Sequence, residues 1–126
     1  MQIISAPNAP AAVGPYSQAI RTGNLLFCSG QIPINPVSGK IEATDVEGQA
    51  RQVIANIEAV LSGAGLGVHH VVKATMFLQD MADFPKVNPI YEMGFDGHKP
   101  ARSTIQVAKL PLGALVEIEV IAEFAA

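Results

Sequence analysis

The chain has no tryptophan and a single cysteine, Cys28. One thiol excludes an internal disulfide and suits a reducing compartment. Charge is also scarce, at 15 % of residues against the usual quarter. No run of Lys and Arg exists, and eight basic against eleven acidic residues leave a net charge of −3. Nucleic-acid binding through phosphate contacts is therefore not favoured. No apolar run approaches the roughly 20 residues that span a bilayer. Met1 to Pro10 lacks the basic flank and apolar stretch of a signal peptide. The expectation is a soluble, cytoplasmic protein without a membrane partner. There is no phosphate loop, dinucleotide fingerprint or nucleophile elbow. His69 and His70 are adjacent and His98 is remote, so no spacing suits a metal ion.

What is present is apolar: 49 % of 126 residues. That length suits one domain, expected to span residues 1–126. A small chain so short of charge is expected to hide surface in an oligomer. The opening third reads as β. Gln18 to Thr22 is extended, Gly23-Asn24 is a turn pair, and Leu25 to Ser29 is an apolar strand, together a hairpin. The first helix is marked by Thr44 as cap, with Glu47 completing a capping box. Val46, Ala50, Val53, Ile57, Val60 and Leu61 then recur at spacings of three and four. Gly63 and Gly65 can end it. His69 to Leu78 reads as a strand, with Val72, Ala74, Met76 and Leu78 on one face.

A second helix lies between Asp83 and Phe95. If Asp83 caps it, Pro89 is interior and costs about 3 kcal/mol. If Asn88 caps it, Pro89 takes the favoured first position. Ser103 to Lys109 and Leu115 to Phe124 are the last strands, the latter with Val116, Ile118, Val120 and Ala122 on its apolar face. The order β-β-α-β-α-β-β predicts an α+β sandwich, one sheet with both helices on one face. The other face, with Lys73, Thr75, Phe77 and Ile121, is half apolar and suits packing against a copy of itself.

Arg102 opens a strand after Pro100-Ala101, and a guanidinium there can hold a carboxylate through two parallel hydrogen bonds. A solvated surface arginine is the commoner fate of that residue type. Glu117 stands mid-strand, a poor place for glutamate unless the carboxylate is useful. It can serve as a general base towards water, or simply face solvent or pair with Lys73. Glu119, on the same face, competes with it. The Gly14-Pro15-Tyr16-Ser17 turn frees Tyr16 for a cleft or for the core edge. Ser29-Gly30 permits close backbone approach by a ligand or by a neighbouring chain. Asn88 can cap a helix or bind a ligand. Cys28, inside an apolar strand, reads as an inert thiol.

Four blocks together carry a resemblance. They are Gly14-Pro15-Tyr16-Ser17-Gln18, then Phe27-Cys28-Ser29-Gly30-Gln31-Ile32-Pro33, then Asp83-Phe84 with Asn88 and Tyr91. The fourth is Pro100-Ala101-Arg102-Ser103-Thr104-Ile105 with Leu110-Pro111 and Val116-Glu117-Ile118-Glu119. In this order, over nearly the whole chain, they resemble the RidA/YjgF family, also called L-PSP. The resemblance implies a chorismate-mutase-like fold assembled as a homotrimer, with active sites between subunits. It implies hydrolysis of small 2-imino acids, 2-iminopropanoate and 2-iminobutanoate, to 2-keto acids and ammonia, with no metal or cofactor.

By the same resemblance Arg102 pairs with the substrate carboxylate and Glu117 lies near the attacking water. Tyr16, Ser29, Gly30 and Asn88 take pocket positions, and backbone at Thr104 and Ser29-Gly30 faces the imine nitrogen. Two departures stand out. Thr104 replaces a cysteine found in some members, and the Phe95–Pro100 segment is shorter than in the archetypal ones. Other readings within the resemblance are an endoribonuclease that inhibits translation, a trimer that only binds small carboxylates, and a deaminase of a larger substrate such as 2-aminomuconate.

Overall fold

The computed structural model describes residues 1–125 and pairs six strands into one sheet, in the spatial order β1-β2-β3-β6-β4-β5. The strands are β1 (Gln2–Ile4), β2 (Ala19–Thr22), β3 (Leu25–Cys28), β4 (Val71–Leu78), β5 (Ala101–Gln106) and β6 (Val116–Glu123). Helix α1 (Val46–Gly63) lies between β3 and β4 in the chain, and α2 (Phe84–Gly94) between β4 and β5. The order is the expected one with a further strand, β1, in front. Only the β4–β5 pair is parallel. Among the described residues no helix is long and apolar enough to cross a membrane.

Asp45, rather than Thr44, caps α1: its carboxylate accepts the Gly48 N–H at 3.0 Å. Aspartate supplies the same side-chain oxygen and adds a negative charge where the helix dipole favours one. The helix ends as expected at Gly65, with φ at 76°, and the Leu66 N–H returns to the Leu61 carbonyl at 2.9 Å. All six stripe residues from Val46 to Leu61 are buried. Each larger aliphatic side chain buried this way contributes roughly 1.5–3 kcal/mol. Their partners are Ala74, Met76 and Leu78 of β4 and Val116, Ile118, Val120 and Ala122 of β6.

Val72 departs from the expected face. It is exposed and Val71 is buried, because a register shift opposite β6 falls between Val71 and Lys73. One extra residue flips the phase at the start of the strand. His69 lies outside β4, in a 3-10 turn, Val68–His70. Helix α2 takes the start at Asp83, with Pro89 inside it. A 3-10 turn, Met81–Asp83, leads straight into it, capped by Asp80 on the Ala82 N–H at 2.9 Å. Burial of Val87, Tyr91 and Phe95 offsets the cost of the interior proline. Pairing with β4 sets β5 two residues earlier than the sequence reading had it.

Alternation along the strands then decides which face each candidate residue takes. Arg102 pairs with buried Ala74, so it points to the helix side. Glu117 pairs with Phe77, so it points to the open side.

Candidate active site

Arg102 stands on β5, an edge strand, beneath α2. Its Nη1 donates to Asn88 Oδ1 at 2.9 Å. Its Cζ lies 4.6 Å from the centre of the Tyr91 ring and 5.3 Å from that of Phe84. Among the described residues no carboxylate lies within ion-pair distance of it, the one ion pair being His69 with Asp96 at 3.1 Å. Arg102, Asn88 and Tyr91 line a cleft of about 360 Å³ with Glu92, His98 and Lys99. His98 is fixed there by donating Nε2–H to the Val71 carbonyl at 2.7 Å. Burial raises the Tyr91 phenol, and the positive charge of Arg102 lowers it in part. The Tyr91 hydroxyl makes no hydrogen bond of good geometry, so the charge of Arg102 is the contact it feels most.

A second cleft, of about 390 Å³, lies on the other side of the sheet. Tyr16, Ser29, Gly30 and Glu117 line it together, with Gln18 and Gln31. The Ser29-Gly30-Gln31 segment runs beside β6, since Gln31 and Ile118 exchange backbone hydrogen bonds at 2.9 and 3.2 Å. Gly30 leaves room for the Glu117 carboxylate: a Cβ there would meet one of its oxygens and sit 3.1 Å from its Cδ, so the carboxylate would have to move. Ser29 is held by donating its hydroxyl to the Ser17 carbonyl at 2.6 Å. Asn56 of α1 holds the next stretch through the Ile32 and Ile34 carbonyls, at 3.2 and 2.9 Å. Burial raises the Glu117 carboxyl above the ordinary glutamate range, and the neighbouring charge of Glu119 raises it further.

The structure thus brings the expected residues together in two groups, Arg102 with Asn88 and Glu117 with Tyr16, Ser29 and Gly30. It does not join the groups within one chain. Two strand spacings, about 10 Å, and the thickness of the sheet separate them. Thr104 shares the face of Arg102 but lines neither cleft. Sequence reasoning gave no role to Phe84, Tyr91 or Gln18. The signal for the first two is the spacing of 84, 88 and 91 along α2, one stripe of a helix. Gln18 bonds Ala6 and Pro10 and so holds the cleft wall.

Comparison with known proteins gives concordant results. The profile of the endoribonuclease L-PSP family matches residues 6–124. A 2-iminobutanoate/2-iminopropanoate deaminase of Escherichia coli K12 is 48 % identical over 122 residues, covering 94 % of each chain. A RutC family protein of Pyrococcus horikoshii is 49 % identical over 121 residues, covering 96 % of each. Among solved structures, E. coli TdcF with bound serine aligns at a TM-score of 0.94 and 43 % identity, over 99 % of this chain and 100 % of that one.

Proposed function

Because the chain belongs to the endoribonuclease L-PSP family, in which RidA/YjgF proteins fall, we propose that it is an imine deaminase. On this reading it converts small 2-imino acids, 2-iminopropanoate and 2-iminobutanoate, to 2-keto acids and ammonia. The observation that carries it is Arg102: a guanidinium in a cleft, held in place and, among the described residues, free of any carboxylate partner. Such a group is an anion site, and its planar fork suits a carboxylate. The bound serine named for TdcF is a ligand of the same chemical class.

The site is completed by a second copy, in a cytoplasmic homotrimer of one-domain chains. The Arg102 cleft of one copy faces the Glu117 cleft of the next, which supplies what the separation within one chain denies. Arg102 anchors the substrate carboxylate and sets C2 within reach of one water, an effect whose ideal limit is about 7–11 kcal/mol. Glu117 takes a proton as the water oxygen bonds to C2, a role typically worth about 10²–10⁴ in rate. The imine nitrogen takes a proton, held by backbone groups at Ser29-Gly30 and Thr104. The resulting carbinolamine nitrogen takes a second proton, from Glu117, and its C2 hydroxyl gives its proton to water, so that C2=O forms as the C2–N bond breaks and ammonia leaves. Water and side chains suffice for every step. Tyr16 closes the cleft over the substrate.

The family description gives a second reading, RNA cleavage. The net charge of −3 disfavours it. The test is an assay in which an amino-acid oxidase generates the imine and semicarbazide traps what escapes hydrolysis. Wild type should divert the imine, and Arg102→Lys should be severely impaired because a point charge cannot reproduce the fork. Full turnover by Arg102→Lys contradicts the mechanism. RNA cleavage with steep salt dependence, and no imine hydrolysis, supports the nuclease.

A further inference from the structure

Arg102 owes its position to one stripe of α2. Phe84, Asn88 and Tyr91, four and three residues apart, lie along a single face of the helix and meet the guanidinium together. Asn88 is the one protein acceptor for that guanidinium among the described residues. The group is planar with five N–H donors, so one bond at Nη1 and an aromatic face fix its plane while four donors stay unused. The Tyr91 ring is braced in turn, stacked on Phe95 at 4.3 Å and 21°. Every one of these contacts is neutral. An aspartate at position 88 would offer an oxygen in the same place but would cancel the charge that the cleft presents. Glu92 lines the same cleft and makes no ion pair with Arg102.

We infer that Asn88 is a positioning residue, acting with Tyr91 and Phe84 to aim Arg102 while leaving its charge uncompensated for a substrate carboxylate. This rests on the carboxylate role proposed for Arg102 and departs from a direct contact between Asn88 and substrate. It also explains why an amide stands at the position: orientation needs an acceptor, and anion binding needs that acceptor to be uncharged.

The experiment compares wild type with Asn88→Asp and Asn88→Ala by three readouts. These are steady-state kinetics on 2-iminobutanoate, calorimetric binding of 2-oxobutanoate, and the side-chain ¹⁵N resonances of Arg102. Asn88→Asp should keep the hindered Cζ–Nη rotation of Arg102. It should weaken 2-oxobutanoate binding by about tenfold or more and raise KM by a similar factor, with kcat within about threefold. Asn88→Ala should free the Arg102 rotation and lower kcat/KM, and Asn88→Asp should restore the rotation signature but not the affinity.

Equal binding by Asn88→Asp and wild type overturns the charge argument. An unchanged Arg102 signature in Asn88→Ala, with lost affinity, overturns the positioning role and returns Asn88 to the substrate. If wild type neither binds 2-oxobutanoate nor hydrolyses imines, the deaminase reading fails, and the Arg102 resonances still decide whether Asn88 holds the guanidinium.

Discussion

Glu117 is covered by the Gly30 segment and has Glu119 two residues along its strand, and both burial and that charge raise its carboxyl. A carboxyl raised in the folded state binds its proton more tightly there than in the unfolded chain. Its favourable contribution is therefore present at acid pH and is lost as pH rises through the raised value. Glu117→Gln should accordingly be more stable than wild type at neutral pH. The gap should close as pH falls below the ordinary glutamate range, measured by thermal unfolding at pH 4 and 7. If Glu117 is the proposed base, the acid limb of kcat/KM should lie above the ordinary glutamate value and vanish in Glu117→Gln. A variant less stable than wild type at pH 7 contradicts the assigned environment. Cys28 shows what is legible at this scale. An apolar strand predicts an inert thiol, and burial does push it up to about 12. Tyr91 shows what is not, because its meaning depends on which strand passes beneath α2.

The two helices meet closely where Gly94 of α2 faces Ile54 of α1. A Cβ at Gly94 would lie 2.6 Å from Ile54 Cγ2 and 3.0 Å from its Cδ1. Ile54 is buried and has little room to yield. Gly94→Ala should therefore cost about 1–3 kcal/mol, read as a lower urea midpoint at unchanged slope. An unchanged midpoint would show slack between the helices. Helix α1 was legible because its pattern is local: one stripe, one capping oxygen, one left-handed glycine. Its cap was misplaced by one residue since Thr44 and Asp45 offer the same chemistry. Elements set by pairing were harder to read. Strand β1 has three residues and no alternation of its own, so only β2 defines it. The bulge at Val72 exists only against β6, and the start of β5 only against β4. Pro89 left two starts open for α2, and tertiary burial of Val87, Tyr91 and Phe95 chose between them.

At the scale of the whole molecule, the sequence names candidate residues for a site, but not how the fold distributes them. Arg102 and Glu117 are fifteen positions apart and both stand in strands, which says nothing of opposite faces. Register decides that, through Ala74 opposite Arg102 and Phe77 opposite Glu117. The open face adds its own demand, since Phe27 and Ile105 are exposed there beside Lys73 and Thr75. In the proposed trimer a neighbouring copy covers such a face and brings the second half of the proposed site in one step.

The most direct test is complementation. Arg102→Ala and Glu117→Ala chains, each impaired alone in imine hydrolysis, are co-expressed in equal amounts and assayed as mixed assemblies. Sites shared around a ring should recover to about a quarter of wild-type activity, the share in which an intact Arg102 faces an intact Glu117. Activity no higher than that of the separate variants would place Arg102 and Glu117 in one chain's site, contrary to the geometry described, or show that they do not act together.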